Sequence, residues 1–142
     1  MKKFALVTGA SSGIGLEICH SLATKGFNII LTSRSRNKLK AISNEISSNY
    51  GVSTDYFVCD LIDNKSPKKI YKYCESKKYI INILVNNAGY ALPDAFEKNT
   101  VEDEENCIRV LGTSVVSLTK LFIRDMIKRK DGKIMIVSSV AA

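Results

Sequence analysis

Histidine occurs once, at His20, and the four cysteines, Cys19, Cys59, Cys74 and Cys107, are scattered through 142 residues. They form no C-x-x-C pair and no Cys/His cluster. That argues against a zinc site and a disulfide framework, and it fits a reducing cytoplasm. No apolar run approaches the ~18 residues of a membrane span. Met1-Lys2-Lys3 leads straight into the first apolar run, so no secretory leader is expected. The chain has no internal repeat and no obvious linker, and its length suits one domain over residues 1–142. Acidic residues are the minority, 14 against 21 basic ones, for a formal charge of +7. Such a balance raises a nucleic-acid reading. Yet Lys65, Lys68, Lys69, Lys72, Lys77 and Lys78 crowd one predicted helix whose Tyr and Ile residues form a buried stripe, and no nucleic-acid motif accompanies them. The lysines are read as a solvated face that helps attract an anionic cofactor.

Hydrophobic residues make up 45% of the chain, and they are patterned. Apolar runs at about 3–8, 27–32, 54–59, 81–86 and 133–138 read as strands buried on both faces. The segments at about 13–25, 36–49, 66–77 and 101–129 have helical spacing, with Leu16, Ile18, Cys19, Leu22 and Ala23 inward in the first and Leu39, Ile42 and Ile46 in the second. Gly26 ends the first helix. Alternating strands and helices imply a parallel sheet covered on both faces. Right-handed crossovers give strand order 3-2-1-4-5, a Rossmann-type, doubly wound α/β fold. A ligand crevice then lies at the C-terminal ends of strands 1 and 4, where the order reverses.

Residues Thr8-Gly9-Ala10-Ser11-Ser12-Gly13-Ile14-Gly15 fall at that crevice, between a strand and a helix. Backbone N–H groups opening a helix point at an anion, and the dipole favours negative charge there. Gly9 allows the tight turn, Gly13 the close approach of a diphosphate, and Gly15 close helix–strand packing. Ser11, Ser12 and Ile14 complete the turn. The spacing G-x-x-x-G-x-G resembles the T-G-x-x-x-G-x-G signature of the short-chain dehydrogenase/reductase family. Asn86-Asn87-Ala88-Gly89, after the run 80–85, resembles the family's N-N-A-G signature. Gly132-Lys133-Ile134-Met135-Ile136-Val137-Ser138-Ser139 resembles the strand that ends at its active-site serine.

The resemblance implies a nicotinamide cofactor. In such folds an acid at the end of strand 2 binds the ribose hydroxyls of NAD. Here Ser33 stands in that place, followed by Arg34, and Arg34 and Arg36 are suited to a 2′-phosphate. NADP is therefore expected over NAD. Asp60 is expected to accept a hydrogen bond from the adenine amino group, with Leu61 beside the ring, although an aspartate there also suits a helix N-cap. Asn87, Ala88 and Gly89 are expected along the cofactor ribose, Gly89 because a side chain would collide with it. Asn86 is expected to tie strands together.

The resemblance also implies a reaction. Carbonyl reduction needs a hydride donor, a proton donor and a group that polarises the oxygen. In the family a serine polarises, a tyrosine in Y-x-x-x-K gives the proton, and an asparagine in the long helix holds a water linked to the lysine. Ser139 matches the serine, and Ser138 is the lesser candidate. The tyrosine and lysine are expected beyond Ala142. None of Tyr50, Tyr56, Tyr71, Tyr73, Tyr79 or Tyr90 has a lysine four residues on in a fitting place. The asparagine position falls on Leu111 or on Arg109, depending on the alignment. The favoured expectation is a fragment of a longer oxidoreductase acting on a small carbonyl or alcohol, homo-oligomeric in its longer form. The alternative is a non-catalytic nucleotide-binding remnant. The 142 residues alone are expected to be inactive. Tyr90, Leu92 and Phe96 are candidate walls of a substrate pocket.

Overall fold

The computed structural model describes residues 2–139. Apolar runs form the strands β1 (Phe4–Thr8), β2 (Asn28–Ser33), β3 (Thr54–Val58), β4 (Ile81–Asn86) and β5 (Lys133–Ile136). The helices are α1 (Gly13–Thr24), α2 (Arg36–Tyr50), α3 (Ser66–Ser76), α4 (Val101–Ile108) and α5 (Ser114–Arg129). The strands form one parallel sheet in the order β3-β2-β1-β4-β5, the expected doubly wound order.

Strand periodicity divides the core in two. Phe4 and Leu6 of β1 point to the face covered by α3 and α5, where Ile70, Leu118, Phe122 and Met126 pack. Ala5 and Val7 point to the face covered by α1 and α2, where Cys19, Ala23, Leu39 and Ile46 pack. β1 and β4 are buried along their full length, as parallel strands covered on both faces must be.

Three features differ from the sequence reading. The last strand stops at Ile136 rather than 138, because its partner β4 ends at Asn86, opposite Ile136; one further bond runs from the Val137 N–H to the Asn86 carbonyl. The long helix carries a π turn over Arg109–Thr113 between α4 and α5. Cys107, Val110 and Leu111, in and beside this turn, line the crevice, and such turns recur at functional sites. Finally, Val101–Arg129 is one helix long and apolar enough to cross a bilayer by length and composition, with mean hydropathy 1.3 over its most apolar stretch. Its charges gather toward the ends, in Glu102–Glu105 and from Arg124 onward, with Arg109 and Lys120 between them. Leu118, Phe122 and Met126 of this helix belong to the core of the sheet.

Candidate nucleotide-binding cleft

The C-terminal ends of the strands open into a cleft of about 800 Å³, a size suited to a cofactor. Each strand delivers a loop to it. Gly9, Ser11, Ser12 and Ile14 come from the turn after β1, and Ser33 and Arg34 from the end of β2. Asp60 and Leu61 follow β3; Asn87, Ala88 and Gly89 follow β4; Ser138 and Ser139 follow β5. The expected site residues are thus brought together, apart from Gly13 and Gly15, which do not line the cleft.

Those two glycines act on the backbone instead. A Cβ on Gly15 would run into the Gly9 carbonyl and the Asn87 amide, so this position demands close approach. Gly13 has φ +55° with open space around it, leaving room for an anion beside the helix start. Ser12, the N-cap of α1, makes no side-chain cap bond, and the first turn of α1 carries no acid. The opening N–H groups are therefore available to a ligand phosphate.

Thr8 organises the turn, a role its place in the motif does not reveal. Its hydroxyl accepts from the N–H groups of Asn87 and Ala88, both at 3.0 Å, and donates to the Val85 carbonyl at 3.3 Å. Asn87 returns the bond, donating from Nδ2 to the carbonyls of Thr8 and Gly9. The expected ribose-lining role of Asn87 is thereby narrowed: its amide braces the glycine turn. Gly89 is likewise constrained from within the protein, since a Cβ there would lie 2.8 Å from Leu111 Cδ2. The Asn86 side chain bonds Thr119 of α5 at 3.3 Å, so it ties strand to helix rather than strand to strand.

Other expectations are redrawn. Asp60 is not a helix N-cap: α3 starts only at Ser66, and Asp60 Oδ1 accepts from the Ile62 N–H at 3.0 Å in an Asx-type turn. The Asp60 side chain stays exposed at the cleft. Arg36 does not line the cleft but Lys38 does; two positions along the first turn of α2 decide which cation faces inward. Of the three candidate pocket walls, Tyr90 lines the cleft, whereas Leu92 and Phe96 do not. Burial raises the Tyr90 hydroxyl pKa, with the Cys107 thiol adding to it. Leu111 lines the cleft; Arg109 does not, and is loosely paired with Glu105 at 3.7 Å. Cys59 lines the cleft with its thiol pushed up to about 12 by burial, helped by the neighbouring Asp60 charge.

The one tyrosine with a lysine four positions on, Tyr73 with Lys77, lies at the other end of the sheet. There the Tyr73 and Tyr79 hydroxyls both donate to Asp55 Oδ2, at 2.6 and 2.8 Å, near the start of β3. Lys77 sits 5.8 Å above the Tyr73 ring. Burial first, then the bond to Asp55, raises both tyrosines. This is a structural clamp rather than a proton-delivery pair.

Among proteins of known kind, the chain is 39% identical to a 3-oxoacyl-[acyl-carrier-protein] reductase of Buchnera aphidicola subsp. Schizaphis graminum, over 98% of this chain and 55% of that protein. It is 35% identical to a very-long-chain 3-oxoacyl-CoA reductase of Phaeosphaeria nodorum, over 96% of this chain and 41% of that one. The fold superposes with TM-score 0.90 on a short-chain dehydrogenase from Sphingobium yanoikuyae in complex with NADPH, at 27% identity, covering 99% of this chain and 54% of that one. The chain thus spans about half the length of the relatives it matches. The family model for short chain dehydrogenase matches residues 3–142. With the glycine turn, the Asn87-Ala88-Gly89 loop and the strand leading to Ser139 converging on one cleft, and that model matching nearly every residue, the chain belongs to the short-chain dehydrogenase family.

Proposed function

We propose that the chain is the NADP(H)-binding part of an oxidoreductase that interconverts a ketone and an alcohol. The observation that carries this reading is the cleft at the sheet's switch point, lined by an uncapped helix start and by two cations, Arg34 and Lys38. The N–H groups from Ser12 onward would hold the diphosphate. Arg34 and Lys38 would hold the 2′-phosphate, with no acid at the end of β2 to repel it. Asp60 and Leu61 would face the adenine, and Ala88 and Gly89 the ribose. When bound, the nicotinamide supplies the hydride. Ser139 would donate a hydrogen bond to the substrate oxygen and so stabilise the negative charge that develops there. Two of the relatives are named for reducing 3-oxoacyl thioesters, which makes these the first substrates to test. The four free thiols, two of them buried, support a reducing cytoplasm as its compartment.

A second reading, nucleotide binding without turnover, draws on Leu111. An apolar side chain there cannot hold a water in a proton path. Calorimetric titration with NADP and with NAD tests the binding claim: tighter binding of NADP supports it, and equal affinity refutes the assigned 2′-phosphate site. Assay of a longer polypeptide, extended past Ala142, with a 3-oxoacyl thioester and NADPH separates the two readings.

A further inference from the structure

Between positions 64 and 79 stand six lysines and one acid, Glu75. Lys65, Lys68, Lys69 and Lys72 are all exposed. Ile70 and Cys74 anchor α3 in the core, which fixes the face it turns outward. Lys65, Lys68 and Lys72 follow one another there at the i, i+3, i+7 spacing of a single helix face. They span ~10 Å of helix axis. That is about one Debye length in ~0.1 M salt, so the three act on an outside charge as one cluster.

Lys69 pairs with Asp63 at 2.7 Å, but Lys65, Lys68 and Lys72 form no ion pair among the described residues. Glu75 lies in the groove between α3 and α5 with Tyr71 and Asp125, off the lysine row. The arrangement also works against the helix itself. Lys65 is the N-cap, and Lys68 and Lys69 fall in a first turn that holds no acid. The positive end of the macrodipole repels all three. Lys65 with Lys69, and Lys68 with Lys72, are like-charge i, i+4 pairs. Lys77 and Lys78, at the other end of α3, complement the dipole and need no such explanation. A row that lowers the stability of its own helix is accounted for by an anion outside the protein.

We propose that this face of α3 docks the protein on an anionic phospholipid surface, independently of the nucleotide reading. Lysines are point charges that such a surface attracts without a close fit. A protein partner would need a desolvated anchor at the centre of the contact, and among the described residues no exposed large hydrophobic side chain lies between 64 and 79. A nucleic acid would favour arginine forks or aromatic faces beside the cations. Yet α3 has no arginine, and its Tyr71 and Tyr73 hydroxyls are committed to Asp125 and Asp55. The Ser66 hydroxyl donates to the Asp60 carbonyl at 2.6 Å, tying the start of α3 to the rim of the cleft. Docking on the lysine row therefore sets the cleft beside the lipid headgroups.

Co-sedimentation of the 142-residue chain with lipid vesicles tests the proposal, with circular dichroism as the check on folding. The chain should bind vesicles of phosphatidylcholine and phosphatidylserine mixed three to one, and leave them as salt rises from ~0.1 to ~1 M. It should ignore vesicles of phosphatidylcholine alone. Each lysine near such a surface is worth about fivefold in binding, so Lys68→Gln with Lys72→Gln should weaken it about 25-fold. That variant also removes a like-charge pair, so its melting temperature should hold or rise. Lys25→Gln with Lys40→Gln removes the same charge from α1 and α2 on the opposite face of the sheet. It should change binding by less than about threefold, because those sites lie beyond the Debye length from the docked face. No binding to the mixed vesicles, an equal loss in the two double variants, or tighter binding to a DNA duplex or to poly-glutamate at the same anion concentration each overturns the proposal.

Discussion

Asn87 reaches across 78 residues to hold Gly9: its Nδ2 donates to the Gly9 carbonyl at 3.2 Å, and to the Thr8 carbonyl at 3.0 Å. The loop after β4 is therefore the brace of the turn after β1. The Thr8 hydroxyl answers by accepting two N–H groups from the same loop. Two motifs far apart in sequence form one hydrogen-bonded unit at the floor of the cleft.

This unit makes Thr8 a stability residue as well as a motif residue. Thr8→Val keeps the shape but leaves the Asn87 and Ala88 N–H groups without their acceptor. At ~1–3 kcal/mol for each unpaired donor, the two together put the expected loss at about 2–6 kcal/mol. Thr8→Ser keeps the hydroxyl and should lose only about 1 kcal/mol, the cost of one buried methyl. Urea unfolding measures both. A valine variant as stable as wild type would remove Thr8 from this role.

Gly13 and Gly15 should fail in different ways. At Gly15 a Cβ meets the Gly9 backbone, which has nowhere to go, so Gly15→Ala should destabilise the fold and loosen the turn. At Gly13 the space is open and only φ +55° resists, a cost of about 1–2 kcal/mol for an alanine. Gly13→Val should leave a folded chain that has lost nucleotide affinity, because the branched side chain projects where the phosphate approaches. Thermal melts paired with NADPH titration separate the cases. Normal NADPH binding by a folded Gly13→Val chain would place the ligand elsewhere.

The features legible in the sequence were those written locally. Apolar runs such as Ile81–Asn86 gave strands, and the glycines between Thr8 and Gly15 gave the turn. The strand order then followed from the doubly wound pattern together with right-handed crossovers. The structure also shows a capping box at the start of α4, with both bonds between Thr100 and Asp103, that was not singled out from the sequence. The rest of what escaped depends on phase or on distance. Choosing Lys38 over Arg36 needs the rotation of α2 about its axis to within one residue. The Thr8 hydroxyl finds its partners 79 and 80 residues away. The π turn at Arg109–Thr113, within which Leu111 lines the cleft, has no sequence signature of its own.

Cofactor choice should respond to two cations. Arg34→Ala should cost ~1.5–3 kcal/mol of NADP affinity, the range for a charge-assisted hydrogen bond, and little NAD affinity. Lys38→Ala should cost less, since lysine is a point charge rather than a fork. Arg36→Ala, outside the cleft, should change neither. Calorimetry showing no NADP penalty in Arg34→Ala would refute the assignment.

Buried thiols set an alkaline limit. Burial pushes Cys19, Cys59 and Cys74 up to about 12, from 9.0. Between those two values the unfolded chain has released protons that the native one retains. Stability must therefore fall as pH rises from about 9 to about 12. At pH 8 the Cys59 thiolate is about one part in 10⁴, so Cys59 should resist iodoacetamide although it lines the cleft. Mass spectrometry of the native protein reads this directly. Cys59 alkylation at the rate of a free cysteine would contradict the burial argument.

Catalysis by these 142 residues is not expected. Ser139 lies at the cleft and could polarise a carbonyl oxygen, but among the described residues Tyr90 is the one tyrosine lining it. Burial raises that hydroxyl further from the range useful to a general acid. The lysine-paired tyrosine on α3 is committed to Asp55 at the far end of the sheet. General acid–base catalysis is worth ~10²–10⁴ in rate. The chain spans 55% of the Buchnera reductase, and orienting a substrate takes positioned groups on more than one side of it. The chain should therefore bind NADPH without oxidising it in the presence of a 3-oxoacyl thioester, followed by nicotinamide absorbance. A polypeptide extended past Ala142 should gain turnover, and Ser139→Ala in that longer form should lower kcat by ~10²-fold or more, the size expected for losing one donor to the developing oxyanion. Turnover at an enzymatic rate by the 142-residue chain, undiminished in Ser139→Ala, would overturn the chemistry assigned to the cleft.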